Sequence, residues 1–118
     1  MKKILFTFVL AVFASGLFAQ ENVFLNRDYW GKNPSVEEVK AKIKEGNDPL
    51  EFNRSHFNGI ANAILANAPT KTIEYLLSQE GVDIDLRTHD ARTYLIWAAY
   101  AGNYDIVKYL VDRGADVS

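Results

Sequence analysis

The sequence predicts an all-α fold, a solenoid of helix-turn-helix repeats joined by short hairpin loops. Two stretches, TIEYLLSQEGVDID at 72–85 and IVKYLVDRGADVS at 106–118, are variants of one phrase. Their tyrosines, Tyr75 and Tyr109, lie 34 positions apart, and a third, weaker copy is VKAKIKEGNDP at 39–49. A repeat of this length is typical of helical units that bury their apolar faces only against neighbouring units.

The first 19 residues have the layout of a secretory signal peptide. Lys2 and Lys3 precede an uncharged and mostly apolar run at 4–19. This run is shorter than the roughly 20 residues that a membrane-spanning helix needs, so we predict a cleaved signal rather than an anchor. Cleavage after Ala19 fits best, and cleavage after Ala14 is the alternative. The protein is therefore expected to be periplasmic or secreted, with no membrane attachment after the signal is removed.

Composition narrows the possible partners. The chain has 13 basic and 15 acidic residues and no cysteine, and loss of the two signal-peptide lysines leaves the rest more acidic. No basic stripe is available to neutralise phosphates, so we expect no nucleic-acid partner. An exported protein without cysteine must be held together by packing rather than by disulfides.

The first unit after the signal contains two predicted helices. The apolar side of the first helix comes from Phe24, Leu25, Tyr29 and Trp30. The second helix begins at a capping box, in which the Ser35 hydroxyl accepts a backbone amide while the Glu38 side chain reaches back. Gly46 is predicted to end this helix, because glycine adopts the left-handed conformation without a steric penalty.

The second and third units each place a short apolar helix before a longer amphipathic one. The short helices are GIANAILAN and YLIWAAYAG. In the second unit Pro69 interrupts the chain and Thr70 is predicted to cap the helix that follows. In the third unit Asn103 or Asp105 starts the last helix and Gly114 ends it.

The last of these units resembles an ankyrin repeat, whose pattern runs G-x-T-P-L-H-x-A-A-x-x-G-H-x-x-I-V-x-x-L-L-x-x-G-A-x-x-N. The matching positions are Thr93, Leu95, Ala98, Ala99, Gly102, Ile106, Val107, Leu110, Gly114 and Ala115. Ala91 and Tyr94 replace the glycine and proline of the pattern, so the loop conformation is where we expect a departure from the family. The chain also resembles ankyrin proteins exported by Bacteroidetes-type bacteria.

The resemblance implies an ankyrin-type α-solenoid with three parts after the signal peptide at 1–19. A degenerate N-terminal capping repeat spans 20–50, an ankyrin-like repeat spans 51–86, and an ankyrin repeat with an open C-terminal end spans 87–118. The last helix is rich in apolar residues on adjoining sides, so we expect further ankyrin repeats beyond Ser118 in the intact protein.

The resemblance also implies where a partner binds, namely at the hairpin tips and on the exposed face of each first helix. In the third repeat these positions are His89, Asp90, Arg92, Tyr100 and Ala101. In the second repeat they are His56, Phe57, Asn58, Ala66 and Asn67. Tyr100 is favoured as an anchor, since aromatic side chains with a polar tip are common at interfaces. A core role stays open for Tyr100 and for Trp97.

The sequence offers no catalytic, metal or cofactor site. There is no thiol nucleophile, and the only two histidines, His56 and His89, are expected on exposed turns rather than as metal ligands. We therefore predict a non-catalytic protein that binds another protein. Two alternatives stay open: a docking arm of an enzyme whose catalytic domain lies beyond Ser118, and an inhibitor or immunity-type protein that plugs a partner's active site.

The signal-peptide interpretation predicts the N-terminus of the exported protein. Protein recovered from the periplasm should begin at Gln20 or close to it, because the preceding residues are removed on export. N-terminal sequencing together with the intact mass measures this directly. Retention of Lys2 and Lys3 in the exported protein would contradict both the signal and the compartment.

Overall fold

The computed structural model describes residues 21–117, which form six α-helices arranged as three pairs. The pairs are α1 (Arg27–Gly31) with α2 (Val36–Lys44), α3 (Gly59–Leu65) with α4 (Thr70–Leu77), and α5 (Tyr94–Tyr100) with α6 (Tyr104–Asp112). Short 3-10 turns at Val23–Leu25 and His89–Ala91 precede the first and third pairs. The predicted signal peptide lies outside the described residues.

The six helices form two layers. In one layer α3 contacts both α1 and α5, and in the other α4 contacts both α2 and α6. Within the later pairs, α3 packs on α4 and α5 packs on α6. Each pair thus buries its apolar face against the next pair along the chain, as a solenoid does. The predicted all-α solenoid of helix-turn-helix repeats is confirmed.

Polar side chains cap the N-termini of four helices. Those of Asn26, Ser35, Asn58 and Asn103 accept hydrogen bonds from backbone amides at 2.9, 3.2, 2.9 and 3.3 Å. These amides have no partner within their helices, so the caps supply one. The predicted cap at Thr70 is wrong. Thr70 is the first residue of α4, and Pro69 stands at the cap position without a side-chain bond.

Residues in the left-handed conformation end the helices. Gly46 (φ +107°) follows α2 and Gly114 (φ +87°) follows α6, as predicted. After α3 this role falls to Asn67 (φ +53°), whose backbone amide donates to the Ile64 carbonyl at 3.1 Å. Asparagine tolerates this conformation better than most residues. Asn67 therefore has a structural role in addition to the binding role predicted for it.

Aromatic packing closes the core beside α1. Phe24 and Trp30 are fully buried, their rings stack at 5.2 Å, and Trp30 Nε1 donates to the Phe24 carbonyl at 2.8 Å. Gly59, the first residue of α3, lies against this cluster. A Cβ atom at Gly59 would lie 2.8 Å from Phe24 Cβ and 2.9 Å from the Pro49 carbonyl oxygen, so only glycine fits there.

A buried polar contact joins the second and third helix pairs. Asn58 Nδ2 donates to the Tyr94 hydroxyl oxygen at 2.7 Å, and both residues are fully buried. Burial raises the pKa of Tyr94 to about 12; the Asn58 hydrogen bond opposes this rise, and the charge of Asp83 adds to it. The phenol therefore stays neutral inside the fold. Tyr94 occupies the position of the proline in the repeat pattern and supplies a hydrogen-bonding group that proline lacks.

The apolar surface left exposed is concentrated on the third helix pair. Its members are Ile96, Tyr100, Tyr104 and Val111, with Val117 after the last helix, and Ile96 is 47% exposed. No helix within residues 21–117 is long and apolar enough to cross a membrane.

Replacing Tyr94 by Phe should lower the free energy of unfolding near neutral pH by about 1–2 kcal/mol, because the buried Asn58 amide loses its acceptor. It should also weaken the alkaline dependence of stability. The folded pKa of Tyr94, about 12, lies above the ordinary value of 10.0. The contribution of the neutral phenol is therefore complete below about pH 10 and is lost as pH rises toward 12.

Urea unfolding at several pH values from neutral to alkaline measures both effects, with Tyr100→Phe as the exposed control. Tyr100→Phe should follow the wild-type curve, whereas Tyr94→Phe should decline less steeply above about pH 10. An unchanged alkaline slope in Tyr94→Phe would show that the buried phenol does not set it.

Candidate protein-binding site

Two hairpin loops project in front of α3 and α5, and backbone hydrogen bonds hold them. In the first loop the Asn53 amide donates to the Phe57 carbonyl at 2.9 Å. The Asn53 side chain also accepts from the amides of Ser55 and Phe57, each at 3.0 Å. In the second loop the Thr88 amide donates to the Arg92 carbonyl at 2.8 Å. These bonds make both tips rigid platforms for their side chains.

The hairpin tips contain left-handed residues that are not glycine. They are His56 (φ +66°), Asp90 (φ +55°) and Ala91 (φ +59°). The left-handed conformation costs an L-residue roughly 1–2 kcal/mol. Ala91 nevertheless adopts it, so the tip conformation is retained where the sequence departs from the glycine of the repeat pattern. The hairpin bonds and the packing behind them supply the compensating energy.

Four rings from the two loops and α5 form a continuous row, which we call the aromatic row. His89 stacks on Phe57 at 4.7 Å, Phe57 lies 5.3 Å from Trp97, and Trp97 meets Tyr100 edge-on at 6.0 Å. Offset and edge-to-face contacts of this kind are favourable beyond the apolar area that they bury. The row runs from one hairpin tip across to the exposed face of α5.

The histidine of the row is held by the neighbouring loop. His89 Nδ1 lies 2.7 Å from the Ser55 carbonyl oxygen. A carbonyl oxygen only accepts, so Nδ1 carries the proton and donates. Nε2 points the other way and lies 3.3 Å from a carboxylate oxygen of Asp90. The Nδ1 bond to Ser55 connects the two hairpins, and the two contacts together fix the plane of the ring.

Buried hydroxyl contacts fix the base of the second loop. Trp97 Nε1 donates to Thr88 Oγ1 at 2.7 Å, and Thr88 Oγ1 donates to the Arg92 carbonyl at 2.6 Å. Thr88 and Trp97 are both buried. Of the two roles that the sequence left open for Trp97, the core role is therefore the observed one. Tyr100 is 78% exposed and is free of the core.

The structure brings most of the predicted binding residues together. We define the hairpin surface as the two tips, 52–57 and 88–92, with the exposed face of α5. His56, Phe57, His89, Asp90, Arg92 and Tyr100 all belong to it. Ala101 and Asn67 lie at the far end of the same layer, where Asn67 Nδ2 donates to the Ala101 carbonyl at 3.4 Å.

Asn58 is the exception, and its predicted place on the surface is corrected. Its side chain is 0% exposed, caps α3 through the Ala61 amide and donates to Tyr94. A residue at the end of a polar loop appears exposed from the sequence. Here the tyrosine at position 94 covers it, so Asn58 supports the surface from behind without contacting a partner.

Arg27, which is not among the residues predicted from the sequence, reaches the hairpin surface from α1. Its guanidinium lies 4.9 Å from the centre of the Phe57 ring, and its Nε donates to Asn62 Oδ1 at 2.8 Å. Asn62 is 1% exposed, and its Nδ2 has no partner within residues 21–117. A buried donor without a partner costs about 1–3 kcal/mol. The side-chain oxygen of Asn62 is paired, and its partner is the Arg27 Nε.

The described residues hold no group of three His, Cys, Asp or Glu side chains that could bind a metal ion. The two histidines are engaged in different stacks, His56 on Phe52 at 3.9 Å and His89 on Phe57.

The arrangement of rings and guanidinium groups on the two loops is suited to recognition, since it offers flat apolar faces edged by charge.

Comparison with known proteins agrees with this geometry. The profile of the family described as ankyrin repeats (3 copies) matches residues 29–118. Among solved structures, one similar chain comes from the complex of a predatory endopeptidase from Bdellovibrio bacteriovorus with an immunity protein; it has a TM-score of 0.65 and 18% identity, over 84% of this chain and 49% of that chain. This chain therefore spans about half the length of that one, and the likeness establishes the fold alone. No curated protein matches the sequence.

Ala91 offers a test of the hairpin conformation. Ala91→Gly should raise the free energy of unfolding by about 0.5–1 kcal/mol, because glycine adopts the left-handed conformation at little cost. The same substitution at the exposed helical position Ala99 should lower it by about 0.5–1 kcal/mol. Urea unfolding of the two variants measures both. Destabilisation by Ala91→Gly would show that the tip does not hold Ala91 in this conformation.

Proposed function

Because the chain belongs to the ankyrin-repeat family, we propose that it is a non-catalytic module that binds another protein through the hairpin surface. Ankyrin-repeat domains in general serve protein interaction rather than catalysis. The observation that carries the proposal is the aromatic row, which ends at the 78% exposed ring of Tyr100. An exposed aromatic ring on a rigid platform is the usual form of an interface anchor.

The rigidity of the platform supports the same proposal. Binding immobilises side chains and loops, and this ordering normally costs affinity. Here the Ser55–His89 and Thr88–Trp97 hydrogen bonds have already ordered both loops. A partner that packs against the hairpin surface therefore meets side chains with little freedom left to lose.

The proposed site of action is the periplasm or the cell exterior. The support is the sequence of residues 1–19, with two lysines followed by an uncharged apolar run. The absence of cysteine means that stability in this compartment comes from packing alone. The buried residues of the two helix layers provide that packing in a single continuous cluster.

The apolar surface of the third helix pair, with Ile96 and Val111 exposed, supports further repeats packing there in the intact protein.

A second candidate function is inhibition of a partner enzyme, as an immunity-type protein would achieve. It is favoured by the similar solved chain, which comes from a complex of an endopeptidase with an immunity protein. The two candidate functions differ in the effect that binding has on the partner's enzymatic activity. Affinity capture from a periplasmic extract identifies the partner, and an assay of that partner with and without this protein separates simple binding from inhibition. If the chain is a docking arm for a catalytic domain beyond Ser118, the bound partner should keep its activity, in contrast to the case of inhibition.

Substitutions on the hairpin surface should separate binding from folding. Tyr100→Ala and Arg92→Ala should each weaken the binding of the captured partner by about 1–3 kcal/mol, as substitutions of interface anchors do. The unfolding free energy should stay nearly unchanged. Leu110→Ala, at a fully buried position of α6, should lower the unfolding free energy by about 2–5 kcal/mol. Calorimetric titration and urea unfolding measure the two quantities.

The comparison with Leu110→Ala also defines the contrary outcome. If Tyr100→Ala destabilises the fold as much as Leu110→Ala does, then Tyr100 belongs to the core and the proposed surface is wrong. If Tyr100→Ala and Arg92→Ala both leave the affinity unchanged, the partner binds elsewhere on the solenoid.

A further inference from the structure

We propose that the hairpin surface recognises carboxylates, and that its partner is a protein segment rich in Asp and Glu whose side chains pair with Arg27 and Arg92. This inference rests on the proposed function and names the chemistry of the partner. It follows from three features of the surface: two guanidinium groups without acidic partners, aromatic faces that orient them, and a local excess of positive charge on an acidic chain.

Arg27 is positioned from two sides. Its guanidinium lies 4.9 Å from the Phe57 ring centre, and its Nε is used by the bond to Asn62. The Nη groups at the other end of the planar fork remain for a ligand. None of the ion pairs within residues 21–117 includes Arg27. The side chain is exposed, yet its direction is set by a buried residue, Asn62, which acts as a positioning residue.

Arg92 presents a second guanidinium beside the aromatic row. It lies 5.3 Å from the Trp97 ring centre, and its carbonyl is held by both the amide and the hydroxyl of Thr88. Within the described residues no carboxylate pairs with its guanidinium either. Phe57 and Trp97 are adjacent rings, 5.3 Å apart. Each of the two arginines therefore lies against one of two neighbouring aromatic rings.

The charge around these arginines is opposite to that of the whole chain. The protein has a formal net charge of −2, whereas the loop residues 52–57 and 86–92 contain Arg54, Arg87 and Arg92 against Asp90 alone. The acidic residues at the loop bases, Glu51 and Asp85, keep their negative charge but hydrogen-bond to groups outside the tips. Glu51 accepts from Asn22 at 2.8 Å, and Asp85 accepts from the Asp116 amide at 2.9 Å. The local excess of positive charge thus lies at the tips of the two loops, with negative charge at their bases.

The geometry favours carboxylates on a protein over a nucleic-acid backbone. A guanidinium fork matches a carboxylate with two parallel hydrogen bonds, and stacking on an aromatic ring leaves the edge of the fork free to make them. A nucleic acid needs a track of positive charge along several phosphates. Away from the loops this chain is acidic and would repel such a backbone, whereas a short acidic segment spans only the basic region.

The test uses a displayed library of random peptides as the probe, selected against the purified protein at low salt. Selected peptides are then titrated against four variants. Arg27→Gln and Arg92→Gln remove the proposed contacts, and Tyr100→Ala tests the surface itself. Arg113→Gln is the matched control, because its guanidinium also stacks on a ring, Tyr109 at 3.6 Å, but lies after α6 and away from the loops. A single-stranded oligonucleotide of equal charge serves as a competing probe.

The expected result is a set of peptides enriched in Asp and Glu over the input library. Either arginine variant should weaken their binding by about tenfold or more, Arg113→Gln should leave it unchanged, and added salt should weaken it. Peptides that depend on Tyr100 but are not acidic would overturn this inference and keep the proposed function. Tighter, arginine-dependent binding of the oligonucleotide would overturn it in favour of phosphate. Selection of no peptide, or only of peptides indifferent to Tyr100 and both arginines, would count against both proposals.

Discussion

The side chain of Asn58 links the first hairpin, α3 and the following repeat. Its oxygen accepts from the Ala61 amide at 2.9 Å, its nitrogen donates to Tyr94 at 2.7 Å, and its backbone pairs with Phe52 across the loop. Because the side chain is fully buried, losing either partner would leave a polar group unpaired in the core. The first loop and α5 are therefore held in one relative position, and the contacts of Phe57 with His89 and Trp97 depend on that position.

Polar groups orient the side chains of this surface in the same way, and two of these groups, those of Thr88 and Asn62, are buried. Thr88 orients Trp97 and the backbone of Arg92, the Ser55 carbonyl orients His89, and Asn62 orients Arg27. A solenoid has no enclosed pocket in which to gather functional side chains. It instead builds a recognition surface from loops of successive repeats, and each loop must be aligned with its neighbour by contacts that cross the repeat boundary.

Stability and recognition draw on different parts of the molecule. The two helix layers bury Ile60, Ile73, Leu76, Ile106 and Leu110 completely and provide the apolar burial on which folding depends. The hairpin surface adds conformational and desolvation costs, through the left-handed tip residues and the Asn62 nitrogen, which has no partner among residues 21–117. Costs of this kind are typical of sites where the arrangement of side chains serves binding.

Local chemistry made much of this fold predictable from the sequence. The caps at Ser35 and Asn103 and the helix ends at Gly46 and Gly114 depend on residues within one turn of each other, and the 33- to 34-residue repeat sets how the helices stack. Tertiary structure decided the rest. Asn58 is buried because Tyr94, 36 positions away, covers it, and Arg27 reaches the surface because Phe57, 30 positions away, lies beneath it. A repeat pattern specifies which residues face the layers, but contacts between side chains of different repeats depend on how the repeats pack, and no local sequence signal records them.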